Sequence, residues 1–140
     1  MRFVLDNSVA MRWLLKDGSA ERLAYADKVL GLLMHDSAQA IVPGVWPLEV
    51  ANVIVKAQAK GLVSEARAAV FIGLLGDMGI SVDTRTAERA MGDTLQLARR
   101  YQLSSYDASY LELALREGLP LATLDADLHS AMLQTGGAVV

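Results

Sequence analysis

Short apolar runs punctuate the chain at Phe3–Leu5, Ala40–Val42, Ile80–Val82, Leu121–Leu124 and Ala138–Val140. Between them, apolar residues recur at helical spacing over Ser8 to Lys16, Ala20 to His35, Pro47 to Lys60, Ser64 to Asp77, Thr86 to Gln102, Ala108 to Glu117 and Asp127 to Gln134. This alternation predicts an α/β fold, with a mainly parallel central sheet of about five short strands covered by about seven helices. Gly18, Gly61, Gly79 and Gly118 follow helical stretches where C-terminal stops belong, and Pro47 sits where a first helical turn tolerates it. Successive residues of the strands are apolar, as in Val4-Leu5 and Leu121-Ala122, which suits a sheet buried on both faces. With no internal repeat and no long linker, residues 1–140 read as one domain.

Composition narrows the class. Apolar residues make up 53% of the chain and charged residues 21%, so a well-filled core is expected and disorder is excluded. The absence of cysteine excludes disulfides and thiolate zinc sites and fits a reducing cytosol. Phe3-Val4-Leu5 meets Asp6 after three apolar residues, too few for a signal segment or a membrane span, so a cytoplasmic protein without membrane contact is expected. A net charge of −3 and a pI near 5.3 argue against a broad basic surface for nucleic acid. That objection weakens if the acids are gathered in one site and neutralised there by divalent cations.

In open parallel sheets, ligands bind beyond the carboxyl ends of the strands. Asp6 follows the first strand and Asp125 follows Leu121–Leu124, while Glu49 and Asp107 fall at the starts of helices. Each has a structural alternative, since acids are favoured as helix caps and in first turns. Glu49 also shares a helical stripe with Asn52 and Lys56, as on an ordinary solvated face. Together, four acids at element ends of an α/β chain offer hard oxygen ligands suited to Mg2+ or Mn2+. Without a cation their like charges would repel one another or take up protons.

Four segments carry a family likeness: Val4-Leu5-Asp6-Asn7-Ser8, then Pro43 through Asn52 (PGVWPLEVAN), then Leu103-Ser104-Ser105-Tyr106-Asp107-Ala108, and Ala122-Thr123-Leu124-Asp125-Ala126-Asp127-Leu128. In their order and spacing the chain resembles the PIN-domain nucleases, and within them the VapC-type toxins of toxin–antitoxin pairs, over nearly its whole length. The resemblance implies a single PIN-like nuclease domain and a Mg2+- or Mn2+-dependent endoribonuclease. It also implies the toxin component of a type II toxin–antitoxin system that cleaves cellular RNA. Asp6, Glu49, Asp107 and Asp125 take the family's four acidic, metal-binding and catalytic positions. Ser8 takes the hydroxyl after the first acid and Thr123 the hydroxyl before the last. Asp127 falls at a position often acidic in the family, with a plain helix cap as its alternative, and Asn52 is a peripheral candidate beside Glu49. The likeness further implies a small antitoxin partner whose C-terminal segment lies across the acidic site, and a homodimer built on helices.

Among basic residues, Arg12 is the leading candidate for RNA contact because its helix directly follows Asp6; Lys16, Arg85, Arg89, Arg99 and Arg100 are further candidates. His35 and His129 are too few and too scattered for histidine chemistry or an H-E-x-x-H zinc site. Trp13, Trp46, Tyr106 and Tyr110 have apolar neighbours and read as core before they read as base-stacking platforms. The rival reading is a non-catalytic α/β binding or interaction module whose acids are helix caps. An aspartyl-phosphate enzyme is disfavoured because Asn7 and Ser8 follow Asp6 where D-x-D would be required, and no P-loop motif occurs.

Overall fold

The computed structural model describes residues 1–140. Four strands, β1 (Arg2–Leu5), β2 (Gln39–Val42), β3 (Ile80–Val82) and β4 (Leu121–Ala122), form one parallel sheet in the order β3-β2-β1-β4. Phe3, Val4 and Leu5 are wholly buried because β1 is central and helices cover both faces, which is why the strand is apolar at successive positions. One continuous core of 31 buried residues spans the sheet and its helices, so there is no second nucleus around which another domain could form.

The helices are α1 (Asn7–Leu15), α2 (Ala20–His35), α3 (Trp46–Ala59), α4 (Glu65–Gly76), α5 (Thr86–Arg89), α6 (Leu95–Tyr101), α7 (Ser105–Glu117) and α8 (Ala126–Gln134). Ser19, Ser64 and Ser104 cap α2, α4 and α7 by accepting from a backbone N–H three residues on. Gly118 ends α7 in the left-handed conformation, at φ 64°, as expected of a glycine stop.

Three local expectations change. The single helix over Thr86 to Gln102 is broken by a π-turn, Ala90–Thr94, in which Gly92 leaves helical geometry at φ −111°, ψ −106°. With α5, the π-turn and α6 counted as one interrupted helix, seven helical units cover the sheet. The stop of α1 is Lys16, at φ 53°, and Gly18 lies beyond it. Ala138–Val140 is not a full strand but a single parallel bridge, Leu121 to Val139. Its partner β4 is itself only two residues long, because Thr123 turns out of the sheet to serve Asp6.

Candidate active site

The register of the sheet builds the site. Leu5 pairs with Ala122, and the Asp6 N–H donates to the Ala122 carbonyl at 2.9 Å, so the residues leaving β1 and β4 stand side by side. Asp6 is only 4% exposed, and its Oδ2 accepts from the Ser8 hydroxyl at 2.6 Å and the Thr123 hydroxyl at 2.7 Å. Both hydroxyls are held in turn, since Ser8 Oγ accepts from the Leu124 N–H at 2.9 Å and Thr123 Oγ1 from the Asp125 N–H at 3.0 Å. Each proton is therefore aimed at Asp6, whose carboxylate is fixed in one orientation.

The other acids arrive from separate elements. Glu49 lies in the first turn of α3 and accepts a short hydrogen bond from the hydroxyl of Tyr110, a wholly buried residue of α7. Asp107 lies in the first turn of α7 and Asp125 at the start of α8. Capping separates them. Asp125 Oδ1 accepts from the Leu128 N–H at 2.8 Å, so this acid does cap its helix, with one oxygen. Asp6 precedes α1 without any side-chain cap bond, Ser104 rather than Asp107 caps α7, and no side chain caps α3.

The charges of these groups act on one another. Burial pushes the Asp6 carboxyl up, against the lowering effect of the two hydroxyls, and the charge of Asp125 adds to the rise. Burial likewise raises Glu49, opposed by the Tyr110 hydrogen bond and reinforced by Asp6 and Asp107. Asp107 is pushed up to about 6 by burial, then by the charges of Asp125 and Asp6. Burial also raises the Tyr110 hydroxyl, with Asp6 and Glu49 adding to the effect, so it stays a donor. No cationic side chain forms an ion pair with Asp6, Glu49, Asp107 or Asp125.

The four acids thus gather at the carboxyl ends of β1 and β4, but no three converge as a finished ligand set. Three of the acids, Glu49, Asp6 and Asp125, each have an oxygen turned to a protein donor instead. The chemistry of the group nevertheless fits a hard divalent cation, because every candidate donor is an oxygen and the negative charge is not balanced from within.

The remaining candidates separate. Ser8 and Thr123 stand against Asp6. Asp127 is exposed on α8, near enough for its charge to reach Asp107. Asn52 is exposed one turn after Glu49. Arg12 is turned into an ion pair with Asp17, and its Nε is buried without a partner. Trp13, Trp46 and Tyr110 are core as expected, whereas Tyr106 is exposed in the first turn of α7; Tyr110 is also the donor to Glu49, a role that spacing did not reveal because the two lie 61 residues apart.

Residues 3–132 match the family model of the PIN domain. The fold is similar to the crystal structure of PAE2754 from Pyrobaculum aerophilum, with a TM-score of 0.69 and 24% identity, covering 99% of this chain and 83% of that one. At that identity the likeness speaks for the fold. No curated protein matches.

Proposed function

Since the chain belongs to the PIN-domain family, whose members are typically metal-dependent nucleases, we propose that it is a Mg2+- or Mn2+-dependent endoribonuclease and the toxin of a type II toxin–antitoxin pair. The observation that carries the nuclease reading is the group of four acids from separate elements, three of which, Asp6, Glu49 and Asp107, are held above their ordinary proton affinity, with no cationic side chain paired to any of the four. Asp6 and Asp125 are assigned as the core metal ligands, with Glu49 and Asp107 completing or orienting the set. Held by these residues, a divalent ion would supply the Lewis acidity that phosphodiester hydrolysis needs. Ser8 and Thr123 fix the Asp6 carboxylate, and Tyr110 fixes Glu49. Asp127 and Asn52 take peripheral places.

Apolar side chains exposed on α3 (Leu48 and Val55) and α4 (Val70 and Leu74) support a homodimer. The antitoxin is assigned to the acidic site on the family resemblance, with a basic side chain answering the cluster.

Cleavage of structured RNA tests the reading. Activity with Mg2+ or Mn2+ should vanish in EDTA, and Asp6→Asn and Asp125→Asn should each lose about a hundredfold or more while remaining folded. Parental cleavage and parental growth inhibition from both variants would leave the binding-module reading as the better one. That reading has one observation of its own, the cap that Asp125 makes on α8.

A further inference from the structure

A chain of hydrogen bonds leads from the C-terminal end of α7 to the start of α3, the helix that bears Glu49. Arg116 donates through Nη2 to Asp83 Oδ2 at 2.7 Å and through Nη1 to Asp83 Oδ1 at 3.1 Å. The same Oδ2 accepts from the Thr86 hydroxyl at 2.8 Å, and Thr86 Oγ1 accepts in turn from the Gly44 N–H at 2.8 Å. A hydroxyl has one proton, and that of Thr86 is committed to the buried Asp83 carboxylate, so Thr86 offers Gly44 an acceptor and nothing else. The charge of Asp83 thereby sets the direction of both bonds.

The start of α3 depends on this support from outside. Unlike α2, α4, α7 and α8, α3 has no side-chain cap. The Trp46 N–H folds back to the Pro43 carbonyl at 3.0 Å, which makes residues 43–46 a turn, and Gly44 bonds out of that turn to Thr86. A Cβ on Gly44 would meet Thr86 Cβ at 3.4 Å and Oγ1 at 3.6 Å, so the turn lies directly against Thr86. Just before it, the Val42 carbonyl accepts from the Asp83 N–H at 2.8 Å, giving the β2–α3 connection a second hold on the same segment. The Glu49 N–H then donates to the Val45 carbonyl at 3.1 Å, one residue past Gly44.

From this geometry we infer that Thr86 is a positioning residue for the acid group: it ties the start of α3 to the Arg116–Asp83 pair and so holds Glu49 where the other acids can share a cation with it. Tyr110 fixes the Glu49 carboxylate from α7. Thr86 fixes the backbone from which that side chain projects. The inference rests on the reading of the four acids as a divalent-cation site, and it extends the support of that site to a residue that touches none of them.

The test compares Thr86→Val, which keeps the shape and deletes the hydroxyl, with Thr86→Ser, which keeps the hydroxyl. Three quantities are measured on the full chain: exchange of the Gly44 amide by NMR without metal, Mn2+ affinity by calorimetry without RNA, and kcat and KM for RNA cleavage. Ser64→Ala is the control, because it removes the cap of α4 and costs stability without touching this chain of bonds. Thr86→Val should deprotect the Gly44 amide, weaken Mn2+ binding by about tenfold and lower kcat by about tenfold with KM unchanged. Thr86→Ser should restore all three, and Ser64→Ala should leave Mn2+ affinity and kcat at the parental values.

A deprotected Gly44 amide in Thr86→Val with parental Mn2+ affinity and parental kcat would overturn the positioning role and leave the cation site standing. Equal losses in Ser64→Ala would assign the effect to general stability, and equal losses in Thr86→Ser to packing of the threonine methyl; either overturns the role. A parent that binds no Mn2+ and cleaves no RNA would remove the cation site and this role with it.

Discussion

Two groups of acids, one buried and one buried only at Asp6, lie along α7 and solve the same electrostatic problem in opposite ways. Near its C-terminal end, Asp83 and Glu112 surround Arg116, which donates to Asp83 Oδ2 at 2.7 Å and to Glu112 Oε1 at 2.8 Å. Burial pushes Asp83 up, but the hydrogen bonds from Arg116 and Thr86 outweigh it and hold the carboxyl below its ordinary value. At the N-terminal end, Asp107 joins Asp6, Glu49 and Asp125, and the carboxyls of Asp6, Glu49 and Asp107 rise. A group that carries its own cation holds the fold together; one that lacks a cation stores repulsion that only an external ion or protons relieve.

The sharpest way to break this contrast is to remove the internal cation. Arg116→Met should leave two buried carboxylates unpaired and destabilise the protein by about 3–5 kcal/mol in chemical denaturation. A loss under about 1 kcal/mol, the size typical of an exposed pair, would mean that the Arg116 group is not the clamp its geometry suggests.

Next in size is Tyr110→Phe, which keeps the ring in the core and deletes only the donor to Glu49. Cleavage should fall by about 10- to 100-fold, while stability should drop by only about 1 kcal/mol. Because the Tyr110 hydrogen bond lowers the Glu49 carboxyl, its loss should move the acidic limb of the pH–rate profile to higher pH. An unmoved profile would reduce Tyr110 to packing.

The smallest effect is a difference in pH dependence without metal. Asp107 binds its proton more tightly folded than unfolded, with its carboxyl raised from 3.8 to about 6. Its contribution to stability is therefore complete below the lower value and lost as pH rises through the higher one. Asp107→Asn should accordingly gain in melting temperature relative to the parent between about pH 4 and pH 6. Asp83 has the opposite sign: its contribution is present above the ordinary carboxylate value and fades as pH falls through its lowered one. A melting difference between Asp107→Asn and parent that shrinks over that interval would contradict the assignment.

What the sequence revealed follows from which forces are local. β1 and β4 were legible because burial on both faces leaves apolar residues in sequence, and the acids because two of them end such strands. Ala138–Val140 looks like a strand for the same reason, yet a two-residue β4 gives it only one bridge. The π-turn at Ala90–Thr94 hides within a helical pattern because an extra residue in one turn hardly disturbs apolar spacing. Tyr110 with Glu49 and Arg116 with Asp83 are pairings across 61 and 33 residues, which no local spacing encodes.

The central claim is that the N-terminal acid group of α7 is completed by a divalent ion, and melting with and without Mn2+ tests it most directly. At a hundred times its dissociation constant, Mn2+ should raise the melting temperature of the parent by roughly 5 °C or more, and that of Asp6→Asn far less. An unchanged melting temperature in the parent, or an equal rise in Asp6→Asn, would contradict the account.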